Sequence, residues 1–431
     1  MYLHERSTCM VYVLGYNGQP LMPTCRHGKI RHLLDSGKAK VVRRCPFTIK
    51  LLYESTTYTQ NLTLGQDTGS GTLATAVVDS KGFVVYMSEV TLRNDISERL
   101  SQRSRYRRNR RSRKTRYRKA RFLNRRNSIR KDRFSPTMVS KFYGHVKEIE
   151  FIKKLLPVTR MVLETGTFNP HLMKDPMLAY RPWGYQKGPN YGFGNTKAMV
   201  LNRDNYTCQH CKGKHKDSHL EVHHIVYRSQ GGSDAPENLI TLCHTCHTGV
   251  HKSIIKLQIS GKKKGSLKYA TQMNSIRCQL LKSYPDAIET FGYITKENRQ
   301  LLGVPKEHYY DACTIASGGD PFVVNTLLYR KRCIPAGDFQ QTKGVRSEQK
   351  ITTGKILGFR KFDKVSYMGS VYFIKGRMSS GYAVLMDLDG NKADFSQMPK
   401  GFRTPKLSNL TRLEARPTWM TIPVVVTQNT A

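Results

Sequence analysis

Short stretches of alternating apolar and polar residues run along the chain and predict several small sheets rather than a bundle of long helices. Apolar runs at 11–14 and 41–52 predict the strands of a small α/β unit. Residues 62–79 hold β-branched residues on either side of two glycines, and 83–87 continue the pattern, which is typical of a hairpin that enters a larger sheet. A further apolar strand is predicted at 160–163.

The second half of the chain has a different pattern. An aromatic and glycine-rich stretch at 180–194 predicts a linker. A strand is predicted at 289–294, followed by a helix that carries His308 and Asp311. Residues 332–431 are β-rich and basic. The pattern therefore predicts mixed α/β units joined by a linker.

A long basic run lies between the predicted hairpin and the strand at 160–163. Of the 35 positions from 99 to 133, 18 are Lys or Arg, and no Gly or Pro interrupts them. Arg and Lys favour helix, but basic residues cover every face, so a disordered basic tail is the alternative. Because the run is internal, we expect a helix that binds nucleic acid through phosphate contacts. The candidate contacts are Arg103, Arg107, Arg108, Arg110, Arg111, Arg113, Arg118 and Arg121.

Length and charge narrow the class of protein. The 431 residues exceed the roughly 250 to 300 that one hydrophobic core supports, so we expect several folded units. The net charge is +41, from 72 Lys and Arg against 31 Asp and Glu, which indicates a polyanionic partner. No apolar run approaches the roughly 20 residues of a membrane span, and residues 1–15 lack the apolar core of a signal peptide. We therefore expect a nucleic acid rather than a membrane as the partner.

Four of the ten cysteines form two Cys-x-x-Cys pairs. Such pairs close a tetrahedral Zn²⁺ site that leaves no position open for water, so we expect a structural zinc. The other six cysteines are scattered, as expected of reduced thiols inside a cell. The predicted zinc ligands are Cys208, Cys211, Cys243 and Cys246.

A set of histidines lies between and after these pairs. His223 and His224 end a strand-like segment, and Asn238, His247 and His251 follow. The order resembles the HNH, or ββα-metal, nuclease motif. The resemblance implies that His224 is the general base, that His223 and His247 bind one Mg²⁺, and that Asn238 braces the loop. Since His251 is one helical turn beyond His247, it is a possible further ligand, which the sequence leaves open.

Three dispersed acidic segments resemble the motifs of a RuvC nuclease. Residues 64–70 contain Asp67, residues 162–164 end in Glu164, and His308 and Asp311 belong to a His-Tyr-Tyr-Asp-Ala segment. The resemblance implies an RNase H-like fold in which Asp67, Glu164 and Asp311 bind two Mg²⁺ ions and His308 assists catalysis. Taken alone, an Asp or Glu at the end of a strand is more often an ordinary solvated side chain. Their order along the chain is what makes the set informative.

The order of acid, basic run, acid, HNH module and His-x-x-Asp resembles the IscB family of compact relatives of the single-protein CRISPR effectors. The segments Pro20-Leu21-Met22-Pro23 and 337–344 also resemble that family. The resemblance implies an RNA-guided double-stranded DNA endonuclease whose HNH site cleaves the guide-paired strand and whose RuvC site cleaves the displaced strand. It further implies a monomeric protein in a complex with guide RNA and target DNA, in the cytoplasm of a prokaryote.

The expected fold class is α/β multidomain. An RNase H-like (RuvC) mixed sheet is split by an arginine-rich bridge helix and an inserted ββα-metal HNH module, with a small α/β N-terminal domain and a β-rich C-terminal domain. The expected boundaries are 1–56 for the PLMP-type N-terminal domain, 57–92 for RuvC-I, 93–135 for the bridge helix, 136–180 for RuvC-II, 181–262 for the HNH module with its linkers, 263–325 for RuvC-III and 326–431 for a C-terminal domain that reads a flanking DNA motif.

Two other functions compete with the guided nuclease. An unguided HNH nuclease of the homing or restriction type needs only the histidine and cysteine module, and leaves Asp67, Glu164 and Asp311 without a role. A non-catalytic RNA-binding scaffold, or a zinc knuckle that only binds DNA, needs neither set of catalytic residues. RNA that copurifies with the protein separates the first alternative from guided cleavage, and nicking that depends on divalent cations separates the second.

Overall fold

The computed structural model describes residues 10–112, 134–257, 267–324, 326–335, 355–416 and 418–426. They divide into two compact units. The discontinuous unit comprises Met1–Thr167 and Gln272–Ala431, and the inserted unit comprises Phe168–Thr271.

The elements before the inserted unit are mostly strands. In chain order they are β1 (Tyr12–Leu14), α1 (His27–Asp35), β2 (Ala39–Arg43), β3 (Thr48–Leu51), β4 (Leu62–Asp67), β5 (Thr72–Asp79), β6 (Phe83–Thr91), α2 (Ile96–Ser112), α3 (Pro136–Lys153) and β7 (Arg160–Thr165). Ser135 caps α3, because its side chain accepts a hydrogen bond from the backbone N–H of Met138.

The inserted unit is built from short elements. They are α4 (Pro170–Lys174), α5 (Thr196–Arg203), β8 (Leu220–His224), β9 (Leu239–Cys243) and α6 (His244–His251). β8 and β9 form an antiparallel pair in which His224 lies opposite Leu239. The predicted linker at 180–194 contains a short 3-10 helix at Pro182–Gln186.

The elements after the inserted unit complete the discontinuous unit. They are α7 (Lys268–Ser283), β10 (Ile288–Phe291), α8 (Gly292–Leu301), α9 (His308–Ser317), β11 (Val323–Val324), β12 (Leu328–Cys333), β13 (Lys364–Tyr367), β14 (Ser370–Arg377), β15 (Ala383–Met386), β16 (Thr411–Glu414) and β17 (Trp419–Val424). The prediction of β-rich structure after residue 332 is thus confirmed for the described residues, and the segment 337–344 lies outside them.

A mixed sheet forms the centre of the discontinuous unit. Its strand order is β10-β7-β4-β5-β6-β12-β17, with β11 beside β6. β4, β5 and β6 are antiparallel neighbours, as the predicted hairpin required, whereas β7 runs parallel to β4 and β10 parallel to β7. The ends of β4 and β7 therefore meet at the same edge of the sheet.

Helices cover both faces of this sheet. On one face, Ile149 and Ile152 of α3 and Ile276 of α7 pack with Leu62 and Leu64 of β4. On the other face lies α9, which packs against β5 and β6. Gly65 of β4 permits this second contact, because a Cβ there would lie 2.4 Å from the backbone nitrogen of Ala316. The glycine thus fixes the depth at which α9 crosses β4.

A buried ion pair connects α3 to β12 of the sheet. Lys331 Nζ of β12 lies 2.7 and 2.9 Å from the two carboxylate oxygens of Glu148. The hydroxyls of Tyr86 and Ser88 donate hydrogen bonds to the same carboxylate. Since every charge in this network has partners, its burial is compatible with a stable core.

The discontinuous unit also contains two smaller sheets. The first has the order β1-β3-β2 and packs on Ile30 and Leu33 of α1, which confirms the small α/β unit predicted near the start. The second has the order β15-β14-β13-β16. Among the residues that the structure describes, no helix combines the length and the apolar composition of a membrane-spanning segment.

The predicted strand at 289–294 is wrong at its end. The strand stops at Phe291, and residues 292–301 form α8. β7, the only neighbour of β10 in the sheet as described, ends at Thr165, which pairs with Phe291. Among the described residues, those beyond Phe291 have no strand to pair with.

The basic run is helical as far as it is described. α2 begins at Ile96 and ends at Ser112. Arg103, Arg107 and Arg108 are exposed on it, and Arg110 and Arg111 belong to the same helix. Arg113, Arg118 and Arg121 lie outside the described residues.

Candidate metal centres

The four predicted zinc ligands form one cluster in the inserted unit. Cys208 and Cys211 follow α5, Cys243 ends β9 and Cys246 lies in α6. All four are buried, and their sulfurs lie within 4.8 Å of one another. Cys211 Sγ is 3.8 Å from Cys243 Sγ, and a tetrahedron with Zn–S bonds of about 2.3 Å has sulfur–sulfur edges of about 3.8 Å. The cluster therefore fits a structural zinc.

Three imidazoles form a second cluster in the same unit. The donor atoms of His223, His247 and His251 lie within 4.8 Å of one another, and His251 Nε2 is 3.2 Å from His247 Nε2. β8 supplies His223, and α6 supplies the other two from positions one helical turn apart. Burial and the neighbouring imidazoles lower the pKa of His223 to about 4, so its ring is neutral and able to bind a metal. The structure thus places His251, whose role the sequence leaves open, with the other two.

Glu221 orients this imidazole cluster, although sequence analysis did not identify it. Its Oε2 lies 2.5 Å from His247 Nδ1, so Nε2 is the ring atom left to face the cluster. A carboxylate on the outer nitrogen of a metal-binding histidine fixes the ring and makes it a better ligand. The signal in the sequence is that Glu221 and His223, two residues apart on a strand, share a face.

The donor set bears on which ion would bind. Three imidazoles suit Zn²⁺ and other first-row transition ions better than Mg²⁺, which prefers oxygen ligands. The Mg²⁺ expected from the sequence is therefore not the best match to these side chains. A divalent ion as such fits the cluster.

His224 and Asn238 organise the loop that follows β8. His224 Nε2 lies 2.8 Å from Asp234 Oδ1, and the Arg228 guanidinium holds the same carboxylate at 2.7 Å. Asn238 is buried; its Oδ1 accepts from the backbone N–H of Val226 at 2.8 Å, and its Nδ2 donates to the carbonyl of Val226 at 3.0 Å. These contacts fit the predicted bracing role of Asn238. Asp234 was not identified from the sequence, where nothing distinguishes it from other loop acids.

The discontinuous unit brings the dispersed acids into one cavity. Asp67 of β4 lies opposite Glu164 of β7 in the parallel register, and His308 at the start of α9 places Nδ1 2.7 Å from Asp67 Oδ2. Asp311 is one turn further along α9. The cavity has a volume of about 540 Å³. It is lined by Asp67, Glu164, Gly292, Thr295, Lys296, Arg299, Gln300, Lys306, His308 and Asp311.

The carboxylates of this cavity fit a bound cation. Burial, with the nearby charge of Asp67, raises the pKa of Glu164 from 4.5 to about 7. Its buried Oε2 has no hydrogen-bond partner among the described residues. Burial and Asp67 likewise raise the pKa of Asp311, whereas the hydrogen bond to Asp67 raises the pKa of His308 to about 8. Carboxylates that repel one another and an unpaired buried oxygen fit hard divalent ions such as Mg²⁺.

Arg299 of α8 is a further charged group in the cavity that the sequence did not indicate. Its Nε lies 2.9 Å from Asp311 Oδ1. Asp67, Glu164 and Asp311 are not among the groups of described residues whose donor atoms all lie within 4.8 Å of one another. A single ion would not reach all three carboxylates as they stand, which is compatible with a site divided between two ions.

Two family models match the chain. Residues 11–188 match the family described as RRXRR protein, and residues 208–253 match the family described as HNH endonuclease. Residues 107–111 of α2 have the sequence Arg-Arg-Asn-Arg-Arg and lie in the first match. The second match spans the four cysteines and all the histidines of the imidazole cluster.

Known proteins resemble parts of the chain. Anaredoxin from Nostoc sp. is 36% identical over 74 residues, which are 17% of this chain and 93% of anaredoxin. The type IV methyl-directed restriction enzyme EcoKMcrA from Escherichia coli is 36% identical over 64 residues, which are 13% of this chain and 23% of that enzyme. The structure of Streptococcus thermophilus Cas9 in complex with the AGAA PAM aligns with a TM-score of 0.29 and 12% identity, over 43% of this chain and 26% of that one.

Proposed function

We propose that this chain, whose residues 208–253 match the HNH endonuclease family, is an RNA-guided endonuclease that cleaves both strands of a DNA duplex. The observation that carries the proposal is the presence of two separate donor sets. One is the imidazole cluster of the inserted unit, and the other is the acidic cavity of the discontinuous unit. An unguided HNH nuclease needs only the first.

In the inserted unit, His224 is the group that takes a proton from water. Its Nε2 lies 2.8 Å from Asp234, so Nε2–H donates to that carboxylate and Nδ1 carries the free lone pair. Asp234 then also stabilises the positive charge that the ring gains. His223, His247 and His251 would hold a divalent ion, which when bound supplies charge stabilisation for the phosphoryl and leaving oxygens. This site is proposed to cleave the guide-paired strand.

In the discontinuous unit, Asp67, Glu164 and Asp311 would hold two Mg²⁺ ions, which when bound activate water and stabilise the leaving oxygen. Glu164 must lose its proton to serve as a ligand, and its raised pKa makes that loss depend on pH near 7. His308 donates a hydrogen bond from Nδ1 to Asp67 and fixes that carboxylate. This site is proposed to cleave the displaced strand.

The architecture supports a RuvC-type interpretation of the acidic cavity. An RNase H-like sheet has three antiparallel strands followed by parallel ones, and β6-β5-β4-β7-β10 has this order. The inserted unit divides that sheet between β7 and β10, where a RuvC domain split by an HNH module would be divided. This order, together with the motifs, supports the proposed IscB relationship, whereas the domain boundaries given from the sequence remain predictions.

Guidance by RNA is supported by charge. The net charge of +41 exceeds what a small phosphate substrate needs, and exposed Arg103, Arg107 and Arg108 form a basic surface on α2. Phosphate contacts of this kind release counterions and bind without regard to sequence. Base pairing by a guide RNA would then supply the specificity, while the C-terminal sheet is proposed to read a short flanking element of the duplex. In this proposal the protein acts as a monomer.

The second candidate is an unguided HNH nuclease of the restriction type. The 36% identity shared with EcoKMcrA favours it, because that similarity needs no second site. The acidic cavity favours the guided enzyme, since Asp67, Glu164 and Asp311 would have no function in an enzyme that cleaves DNA with an HNH module alone.

Sequencing the RNA that copurifies with the full chain from its native host tests the proposal. The expected result is one dominant RNA with a variable segment, and cleavage of a duplex that matches this segment. A scrambled duplex of equal length is the matched control. Protein that carries no specific RNA and cleaves both duplexes equally would establish the unguided alternative.

A further inference from the structure

A third group of metal-binding side chains lies on the surface of the inserted unit, apart from the two clusters already described. It consists of His219, Glu221 and His244. His219 Nε2 lies 3.3 Å from Glu221 Oε1, and His244 Nδ1 lies 3.4 Å from the same oxygen. Both separations are longer than the roughly 2.9 Å of a good N–H···O hydrogen bond, so any hydrogen bonds among these side chains are weak.

The separations match the edges of a zinc tetrahedron instead. Zn–N bonds of about 2.0–2.1 Å and Zn–O bonds of about 2.0–2.2 Å give ligand–ligand edges of about 3.4 Å. We propose that His219, Glu221 and His244 form an additional site for Zn²⁺ or a similar transition ion, with the fourth position open to water. Two imidazoles and one carboxylate are a donor set that such ions bind well.

The backbone around this site is held in place before any ion binds. The backbone N–H of His244 donates to the carbonyl of His219 at 2.9 Å, which keeps the two histidines adjacent. Asp217 fixes the same loop, because its carboxylate accepts from the backbone N–H of His219 at 3.0 Å and from the backbone N–H of Thr245 at 2.9 Å. An ion would therefore meet ligands that need little rearrangement, which favours binding.

Glu221 connects this surface site to the imidazole cluster. Its Oε1 faces His219 and His244, while its Oε2 contacts His247 Nδ1 at 2.5 Å. An ion on Oε1 would draw electron density from the carboxylate and make His247 a poorer ligand. Excess Zn²⁺ would then slow cleavage by the HNH site, a consequence that rests on the proposed function.

Zinc counting tests the site without reference to activity. The full chain is dialysed against buffered Zn²⁺, and bound metal is measured by mass spectrometry for the wild type, for His219→Ala/His244→Ala and for His215→Ala. The double variant should lose one zinc per chain, and His215→Ala, which removes an exposed histidine of the same module, should lose none. Equal zinc content in all three proteins would overturn the site.

A second measurement tests the connection through Glu221. Cleavage of the guide-paired strand is followed while Zn²⁺ is added in a constant background of Mg²⁺. Added Zn²⁺ should slow the wild type and His215→Ala more than the double variant, because Zn²⁺ that enters the imidazole cluster acts on all three proteins alike. Each protein's rate without added Zn²⁺ serves as its reference. Equal inhibition of the double variant would overturn the connection. If the wild type cleaves no DNA, the proposed function fails, and the zinc count still decides whether the site exists.

Discussion

Replacing Glu164 by Gln should stabilise the discontinuous unit above pH 7 when no divalent ion is added. The folded protein raises the pKa of this carboxyl from 4.5 to about 7, chiefly through burial. Between these pH values the folded state keeps a proton that the unfolded state releases, so the free energy of unfolding falls as the pH rises. Above pH 7 the cost reaches at most about 3 kcal/mol, because one pKa unit corresponds to about 1.4 kcal/mol. Gln has nearly the same shape and no charge, and removes this cost.

Thermal unfolding at pH 8 and at pH 4, with Mg²⁺ left out and the wild type measured under the same conditions, measures the effect. The variant should unfold at a higher temperature than the wild type at pH 8, and at a similar temperature at pH 4. Mg²⁺ should stabilise the wild type at pH 8 and have little effect on the variant, because a ligand is missing. The exposed Glu297→Gln is the control and should behave as the wild type does. A Glu164→Gln variant that is less stable than the wild type at pH 8 would refute the conclusion that the buried charge of Glu164 destabilises the protein when no metal ion is bound.

Three further predictions concern stability and RNA binding. Cys243→Ser should lose the structural zinc and unfold the HNH module while RNA binding remains, because the module is an insertion; full zinc content measured by mass spectrometry would contradict this. Lys331→Met should lower the free energy of unfolding by about 3–5 kcal/mol in urea titrations, because it leaves the carboxylate of Glu148 buried and unpaired; an unchanged midpoint would argue against that ion pair. Arg107→Gln combined with Arg108→Gln should reduce the slope of log K against log salt for guide RNA by about 1.4, or about 0.7 for each phosphate contact; an unchanged slope would place the guide elsewhere.

The sequence predicts those features of the chain whose signal lies within a few neighbouring residues. The two Cys-x-x-Cys pairs specify a tetrahedral site by spacing alone, and the structure gathers all four sulfurs. β-branched residues around Gly69 and Gly71 also predict β4, β5 and β6, because such residues favour strands. In both cases the signal lies within a few residues.

Long-range partners are what the sequence does not reveal. Asp67 and Glu164 lie opposite each other because β7 pairs with β4, and only the family resemblance indicated that these two acids belong together. Arg299 reaches Asp311 because α8 and α9 flank the same cavity, which neither pattern nor resemblance indicated. Glu221 shares a strand face with His223, but its contact with His247 exists only because α6 packs beside β8. The end of β10 was also mispredicted, since the length of its neighbour, and not its own composition, decides where it stops.

Strand-specific cleavage by single-site variants tests the central claim of two independent active sites most directly. A duplex that matches the copurified guide is labelled differently on its two strands and incubated with His224→Ala, with Asp67→Ala and with the wild type. His224→Ala should cut only the displaced strand and Asp67→Ala only the guide-paired strand, because each donor set belongs to a different unit. Loss of cleavage of both strands in His224→Ala, with guide RNA still bound, would contradict the account.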